Sequence, residues 1–214
     1  TFGFQSAVDI ATLVIDSIHT TATSHGRIFI IELMGHRAGW LTLFAGMAGG
    51  ADIILIPEIP YDLAVIVDAL KKRQAHHKRF SIIAVAEGAI SKTDAALSKK
   101  EQKLKKIQEN FPSIAYKLAA ELGELTGQEI RVTVPGHFQR GGQPVAYDRV
   151  LATVLGTRAA QLIRDKQFGL MVGMQNGQTV PVPLAEVAGR LKRVPEDSLH
   201  VKSARDLGTS FGDR

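Results

Sequence analysis

The 214 residues contain no cysteine, one tryptophan and eight prolines, and aromatic residues make up only 6%. The missing thiols exclude a disulfide framework, a thiolate nucleophile and any zinc site built on cysteine. No apolar run approaches the ~18 residues of a membrane span, and Ile53 to Pro57 has only the length of a buried strand. Thr1 to Ile15 lacks a basic leader region and a small-residue cleavage site, so no signal peptide is expected. These absences lead to the expectation of a cytoplasmic, reducing-compartment protein. Acidic residues are in deficit as well, 21 against 26 lysines and arginines, for a net charge of +5. That balance suits an anionic partner such as nucleic acid, a membrane surface or a phosphorylated metabolite, without choosing among them.

What is present is a globular composition, 45% hydrophobic and 22% charged. A chain of this length buries roughly 70% of the surface it exposes when unfolded, so it needs no disulfide or structural metal. Phe4 to Thr21 has apolar residues three and four apart, the spacing of an amphipathic helix. Ile28 to Leu33 is a β-branched run typical of a strand buried on both faces. Further strands are expected at Ile53–Ile56, Ser81–Ala86, Arg131–Val134 and, short, Leu170–Val172. Helices are expected at Ala38–Met47, Tyr61–Gln74, Tyr116–Leu125, Val145–Arg164 and Leu184–Leu191. The tail from Pro195 shows no clear period.

Strands alternating with helices imply an α/β fold of three layers, a mostly parallel sheet with helices on both faces. Ligands in such folds bind at the carboxyl ends of the strands. Between the third and fourth strands, about 89–125 reads as a helical insertion. Its lysines 99, 100, 103, 105 and 106 are interrupted by Glu101 and Glu109, with no aromatic before Phe111. That pattern describes a solvated helical face rather than a nucleic-acid patch.

Several motifs are absent: the Walker phosphate loop, G-x-G-x-x-G after a strand, H-E-x-x-H and G-x-S-x-G. The seven histidines are scattered and do not suggest a metal site. Two loops at strand ends do carry chemistry. Glu32 to Gly39 leaves a buried strand and opens a helix, where backbone N–H groups favour an anion. Pro135 to Gly142 brackets His137 and Arg140 with glycines, a combination suited to a phosphate or sugar phosphate. Arg27 and Arg131, just before strands, add guanidinium groups. Either loop alone reads first as a glycine turn with solvated charges; the two together, with four basic residues, weigh against that.

The string Gly136-His-Phe-Gln-Arg-Gly-Gly-Gln-Pro-Val-Ala-Tyr-Asp-Arg149 resembles the signature of the 6-phosphofructokinases. Upstream segments agree in the same order: Thr1 to Phe4, Ser24-His25 to Arg27, Glu32 to Gly39, Gly49 to Asp52 and Ile56 to Glu58. The resemblance runs from Thr1 to about Asn176. It implies a phosphotransferase that moves a phosphoryl group from ATP or pyrophosphate to the 1-hydroxyl of fructose 6-phosphate in glycolysis, with Mg2+. His137 and Arg140 resemble ligands of the sugar's 6-phosphate, and Arg27 and Arg131 resemble arginines reaching that phosphate from a neighbouring subunit. A homodimer or homotetramer follows. Glu87 resembles the acceptor of sugar hydroxyls, and Met34 and Gly35 resemble residues lining the sugar. His36 stands where the family usually has a phosphoryl-stabilising arginine, for which Arg37 is the available substitute.

The family's phosphodonor loop and its base and magnesium carboxylates would lie upstream of Thr1. The chain therefore resembles the carboxyl-terminal part of such an enzyme, inactive by itself and incomplete without the upstream half. Residues 1–140 would bind fructose 6-phosphate, and 141–214 would return to the donor domain and end in the tail, leaving Val150, Leu151, Val154, Leu155 and Ala159 partly uncovered. Asp52 and Lys78 fit the family's effector site, although His19 replaces an arginine there. The insertion and the Ala38-Gly39-Trp40 context resemble the pyrophosphate-dependent and related long branches, which leaves the donor open. Two other readings compete: a non-catalytic sugar-phosphate-binding subunit, and a basic nucleic-acid module using Lys99 to Lys106. The favoured reading has no nucleic-acid or membrane partner.

Overall fold

A computed structural model describes residues 2–22 and 26–214 of the chain. Thr1, Ser24 and His25, parts of the resemblance above, lie outside the described residues. The chain divides into two compact units, residues 7–141 with 193–214, and residues 1–6 with 142–192.

In the larger unit four parallel strands, β1 (Ile28–Leu33), β2 (Ile53–Leu55), β3 (Ser81–Ala86) and β4 (Ile130–Thr133), are ordered β2-β3-β1-β4. Every residue of β1 and β3 is buried, Glu32 and Ser81 included, in keeping with isoleucine-rich central strands covered on both faces. The pleat sends Phe29, Ile31 and Leu33 into one core, shared with α1 (Phe4–Ala22) and α2 (Trp40–Ala48). It sends Ile28 and Ile30 into a second core, shared with α3 (Leu63–Ala75) and α6 (Ile114–Thr126). The expected three layers are present. Asp62, expected in the first turn of a helix, is instead the cap of α3: its side chain accepts from the Ala64 amide at 2.9 Å.

Within 89–125 the structure separates two parts. The short α4 (Lys92–Ala95) and α5 (Lys99–Glu109) bury no residue, and α5 opens with a full capping box between Ser98 and Glu101. Helix α6 belongs to the sheet instead, burying Ala115, Leu118 and Leu122 in the second core. The two parts are tied together by Asp94, which pairs with Lys105 and with Lys117 at 3.0 Å, while Lys117 also meets Glu109 at 2.8 Å. One lysine of the basic stretch, the half-exposed Lys105, is thus engaged in an ion pair.

The tail differs most from expectation. It holds α9 (Leu199–Asp206), capped by the Ser198 hydroxyl, and it buries Val201, Ala204 and Phe211 in the first core. The Ile54 amide donates to Ser210 O at 2.9 Å, so the chain's end runs along β2 and covers that edge. Residues 193–214 therefore belong to the sheet unit rather than to one segment 141–214. A local pattern search misses this because eight helical residues and one aromatic are too short a period to detect.

In the smaller unit α7 (Ala146–Arg164) carries in its first turn Asp148, whose carboxylate accepts from the Ser6 amide (2.7 Å) and hydroxyl (2.6 Å). Val150 and Val154 are exposed, at 64% and 41%. The single short strand expected at Leu170–Val172 is a hairpin of β5 (Leu170–Gln175) and β6 (Gln178–Pro183). Its turn is Asn176-Gly177, both at positive φ, an Asn-Gly hairpin signal that was present in the sequence. The last expected helix, Leu184–Leu191, stops as α8 at Val187, ahead of Gly189 at φ +74°.

Candidate functional site

The carboxyl ends of β1, β3 and β4 lie side by side, because β1 is flanked by β3 and β4 in register: Leu33 opposite Ala86, and Ile31 opposite Thr133. The two loops singled out in the sequence consequently meet. After β3, Glu87 Oε1 accepts from the Gly35 amide at 3.3 Å. After β4, residues 136–140 form a single 3-10 turn, Gly136–Arg140. Its Gln139 accepts from the Met34 amide at 3.1 Å. His36, Arg37, Glu87, His137 and Arg140 are all exposed, while Gln139 is 1% exposed. The result is a rim of acceptor and cationic side chains on a hydrogen-bonded backbone floor.

Close approach shapes that floor. A Cβ on Gly88 would lie 1.9 Å from the His36 carbonyl oxygen, so only glycine lets the ends of β3 and β1 come this near. Glu58, after β2, accepts the Gly39 amide through both oxygens at 3.1 Å and the Val194 amide at 2.9 Å. It thereby fixes the start of α2 and the root of the tail. Buried Glu32 at the end of β1 accepts the Ala115 amide at 2.9 Å, supplying α6 with an anionic cap from another element. Gln139, Gly88, Glu58 and Glu32 are the positions that pattern reasoning left without a role. Their partners lie tens of residues away, so no local signal announces them.

Arg27 and Arg131 are not brought to this rim. Arg27 directly precedes β1 and Arg131 is the second residue of β4, opposite Phe29, and both pair with Glu129 toward the amino-terminal end of the sheet. Beside Glu87 a cavity of about 230 Å³ is lined by His36, Gly88, Gln102, Lys106 and Ile114, among others.

A separate group surrounds Asp52, before β2. One carboxylate oxygen pairs with Arg73 at 2.7 Å and the other accepts from the Ile82 amide at 2.8 Å. Burial raises the Asp52 pKa above the usual carboxylate value, against the lowering effects of the Ile82 amide and the charges of Arg73, His19 and Lys78. A cavity of about 210 Å³ adjoins it, lined by Met47, Gly50, Arg73, Leu207 and Thr209. Among the described residues no group of three or more histidine, aspartate or glutamate side chains is placed to hold a metal ion. No helix of the described residues is long and apolar enough to cross a membrane.

A parallel α/β sheet with two glycine-containing loops meeting at its strand ends defines the class, and comparison with known proteins gives the family. A sequence model described as Phosphofructokinase matches residues 1–163, and the chain belongs to that family. Among curated relatives, the ATP-dependent 6-phosphofructokinase of Spirochaeta thermophila is 54% identical over 213 residues, covering 100% of this chain and 58% of that protein. The ATP-dependent 6-phosphofructokinase of Propionibacterium freudenreichii is 46% identical, covering 100% of this chain and 62% of that one. The chain thus spans about three fifths of these relatives. Among solved structures, T-state phosphofructokinase from Pichia pastoris is 37% identical with a TM-score of 0.67 over 87% of this chain and 20% of that one. A pyrophosphate-dependent phosphofructokinase from Marinobacter aquaeolei, 21% identical, shares the fold with a TM-score of 0.72 over 96% of this chain and 54% of that one.

Proposed function

We propose that this chain carries the fructose 6-phosphate half-site of a 6-phosphofructokinase, whose complete protein transfers a phosphoryl group from ATP or pyrophosphate to the sugar's 1-hydroxyl. The observation that carries the reading is the convergence of Glu87, Gly35 and the His137–Arg140 turn at three adjacent strand ends. A phosphate dianion is matched by guanidinium and imidazole donors, and a polyol by a carboxylate acceptor. In this reading His137 and Arg140 hold the 6-phosphate, Glu87 takes sugar hydroxyls, and Met34, Gly35 and His36 border the ring. Arg37 is the neighbouring charge available to the transferring phosphoryl. The ATP-dependent names of the closely matched relatives favour ATP as donor.

Arg27 and Arg131, paired with Glu129 toward the amino-terminal ends of the strands, serve such a phosphate from a neighbouring subunit, which makes the active protein at least a dimer. An active protein that sediments as a monomer would remove both from the site. Asp52 is already engaged by Arg73 and Ile82, so in a regulatory site it braces Arg73 and leaves Lys78 to meet an anion. Mg2+ belongs to the chemistry the family implies. Among the described residues, no group of three or more histidine, aspartate or glutamate side chains is placed to hold it.

The test is Arg140→Ala in the full-length protein, with steady-state kinetics in both substrates. A charge-assisted hydrogen bond contributes roughly 1.5–3 kcal/mol, so the KM for fructose 6-phosphate should rise about ten- to a hundredfold. The donor's KM should change little. An unchanged KM for fructose 6-phosphate overturns the assignment.

A further inference from the structure

The turn that offers His137 and Arg140 to solvent keeps Gln139 inside, 1% exposed. Both ends of that amide are used. Oε1 accepts from the Met34 amide at 3.1 Å, and Nε2 donates to the Gly136 carbonyl at 3.1 Å. The orientation of the amide follows from its partners, since a backbone N–H only donates and a carbonyl only accepts. The next amide along the β1 loop, that of Gly35, donates to Glu87 at 3.3 Å. A continuous path therefore runs from Glu87 through Gly35 and Met34 to Gln139 and Gly136, across the ends of β3, β1 and β4.

We propose that Gln139 is a positioning residue that locks the phosphate-binding turn to the sugar-binding loop, so that phosphate and hydroxyl recognition act as one preorganised unit. This role rests on the fructose 6-phosphate reading above. Packing alone does not explain the residue. Leucine or methionine would fill a similar volume without burying an amide, and a buried amide is tolerated only when its bonds are made. Among the described residues, no other side chain of the turn makes a hydrogen bond outside it, since His137, Phe138 and Arg140 all point to solvent. The turn's other bonds, Phe138 N to Pro135 O and Gly141 N to Phe138 O, are internal to it or to its lead-in. Its side-chain tether to the sugar loop is Gln139. Two loops held within a fraction of an ångström of their bound geometry lose less freedom when ligand arrives.

The experiment uses the full-length protein with Gln139→Met, which keeps the shape and loses both bonds, and Gln139→Glu. The latter keeps the acceptor for Met34 but sets an anionic oxygen against the Gly136 carbonyl. For Gln139→Met the KM for fructose 6-phosphate should rise about 10- to 100-fold, with the donor's KM within about twofold, because a buried backbone N–H and C=O both lose partners. Hydrogen exchange at the Met34 amide should quicken in the same variant, a readout independent of activity. In Gln139→Glu the defect should shrink as pH falls toward the carboxyl's pKa, since the protonated acid donates to Gly136 again. A merely structural role gives no such pH profile. A double-mutant cycle of Glu87→Gln with Arg140→Ala should be non-additive in fructose 6-phosphate affinity, and additive once Gln139→Met is also present.

Faster exchange at Met34 with unchanged fructose 6-phosphate affinity overturns the proposal. So does a loss shared equally by both substrates. If the unmodified protein shows no affinity for fructose 6-phosphate, the functional reading falls. Unchanged exchange at Met34 refutes the tether alone.

Discussion

Replacing Gly88 by alanine adds one methyl group at the most crowded point of the site. Its Cβ would stand 1.9 Å from the His36 carbonyl oxygen, 2.6 Å from the His36 carbonyl carbon and 3.0 Å from the Gly35 oxygen. All three neighbours are backbone, so no rotamer change relieves the contact. Carbon–oxygen contacts in folded chains begin near 3.3 Å, and the β1 loop must therefore retreat by about 1.4 Å. Overpacking of this kind costs about 1–3 kcal/mol. For a chain of this size that lowers Tm by roughly 2–12 °C. The displaced segment includes Gly35, whose amide meets Glu87, and misplacement of about 1 Å at a site can cost ~100-fold in activity. Melting curves and kinetics in both substrates on the full-length protein should show a fall in Tm together with a weakened fructose 6-phosphate KM. Gly123→Ala is the matched control, because on α6 its Cβ meets nothing within 4 Å, and it should raise stability by about 0.5–1 kcal/mol. An unaltered Tm and unaltered sugar-phosphate KM in Gly88→Ala would refute the reasoning.

Phe211→Ala should destabilise the sheet unit by about 3–5 kcal/mol, since this ring is fully buried in the first core beneath the Arg205 guanidinium. Chemical denaturation measures it, and a loss under 1 kcal/mol would show that the tail is dispensable. Burial raises the Asp94 pKa, but hydrogen bonds from Lys105 and Lys117 outweigh it and hold the carboxyl below its usual value. Its folded pKa lies below the unfolded value of about 3.9, so its contribution is complete above that pH and is lost as pH falls through the folded value. Melting temperature followed from pH 6 downward should show a shallower acid decline in Asp94→Asn than in the unmodified chain, and identical slopes would rule out this linkage.

The local order of this protein is written in short stretches of sequence. The largely apolar runs at Ile28–Leu33 and Ser81–Ala86 fit strands buried on both faces, and the three-to-four spacing of Phe4 to Thr21 fits an amphipathic helix. Alternation of the two then requires a parallel sheet, and a parallel sheet places ligands at its carboxyl ends. The motif around His137 and Arg140 falls, from the sequence alone, at the kind of strand end where such folds bind ligands. Other features depend on contacts between residues far apart. Gln139 acquires meaning from Met34, 105 residues away, and Gly88 from His36, 52 residues away. Arg27 and Arg131 pair with Glu129 toward the amino-terminal ends of β1 and β4, whereas His137 follows the carboxyl end of β4. The tail shows the limit most clearly. Its polar, aperiodic sequence conceals Phe211 and Ser210, which close a core and cover the β2 edge. Periodicity records which face of an element is apolar, but only the packed structure determines which distant backbone that face, or a single buried amide, will meet.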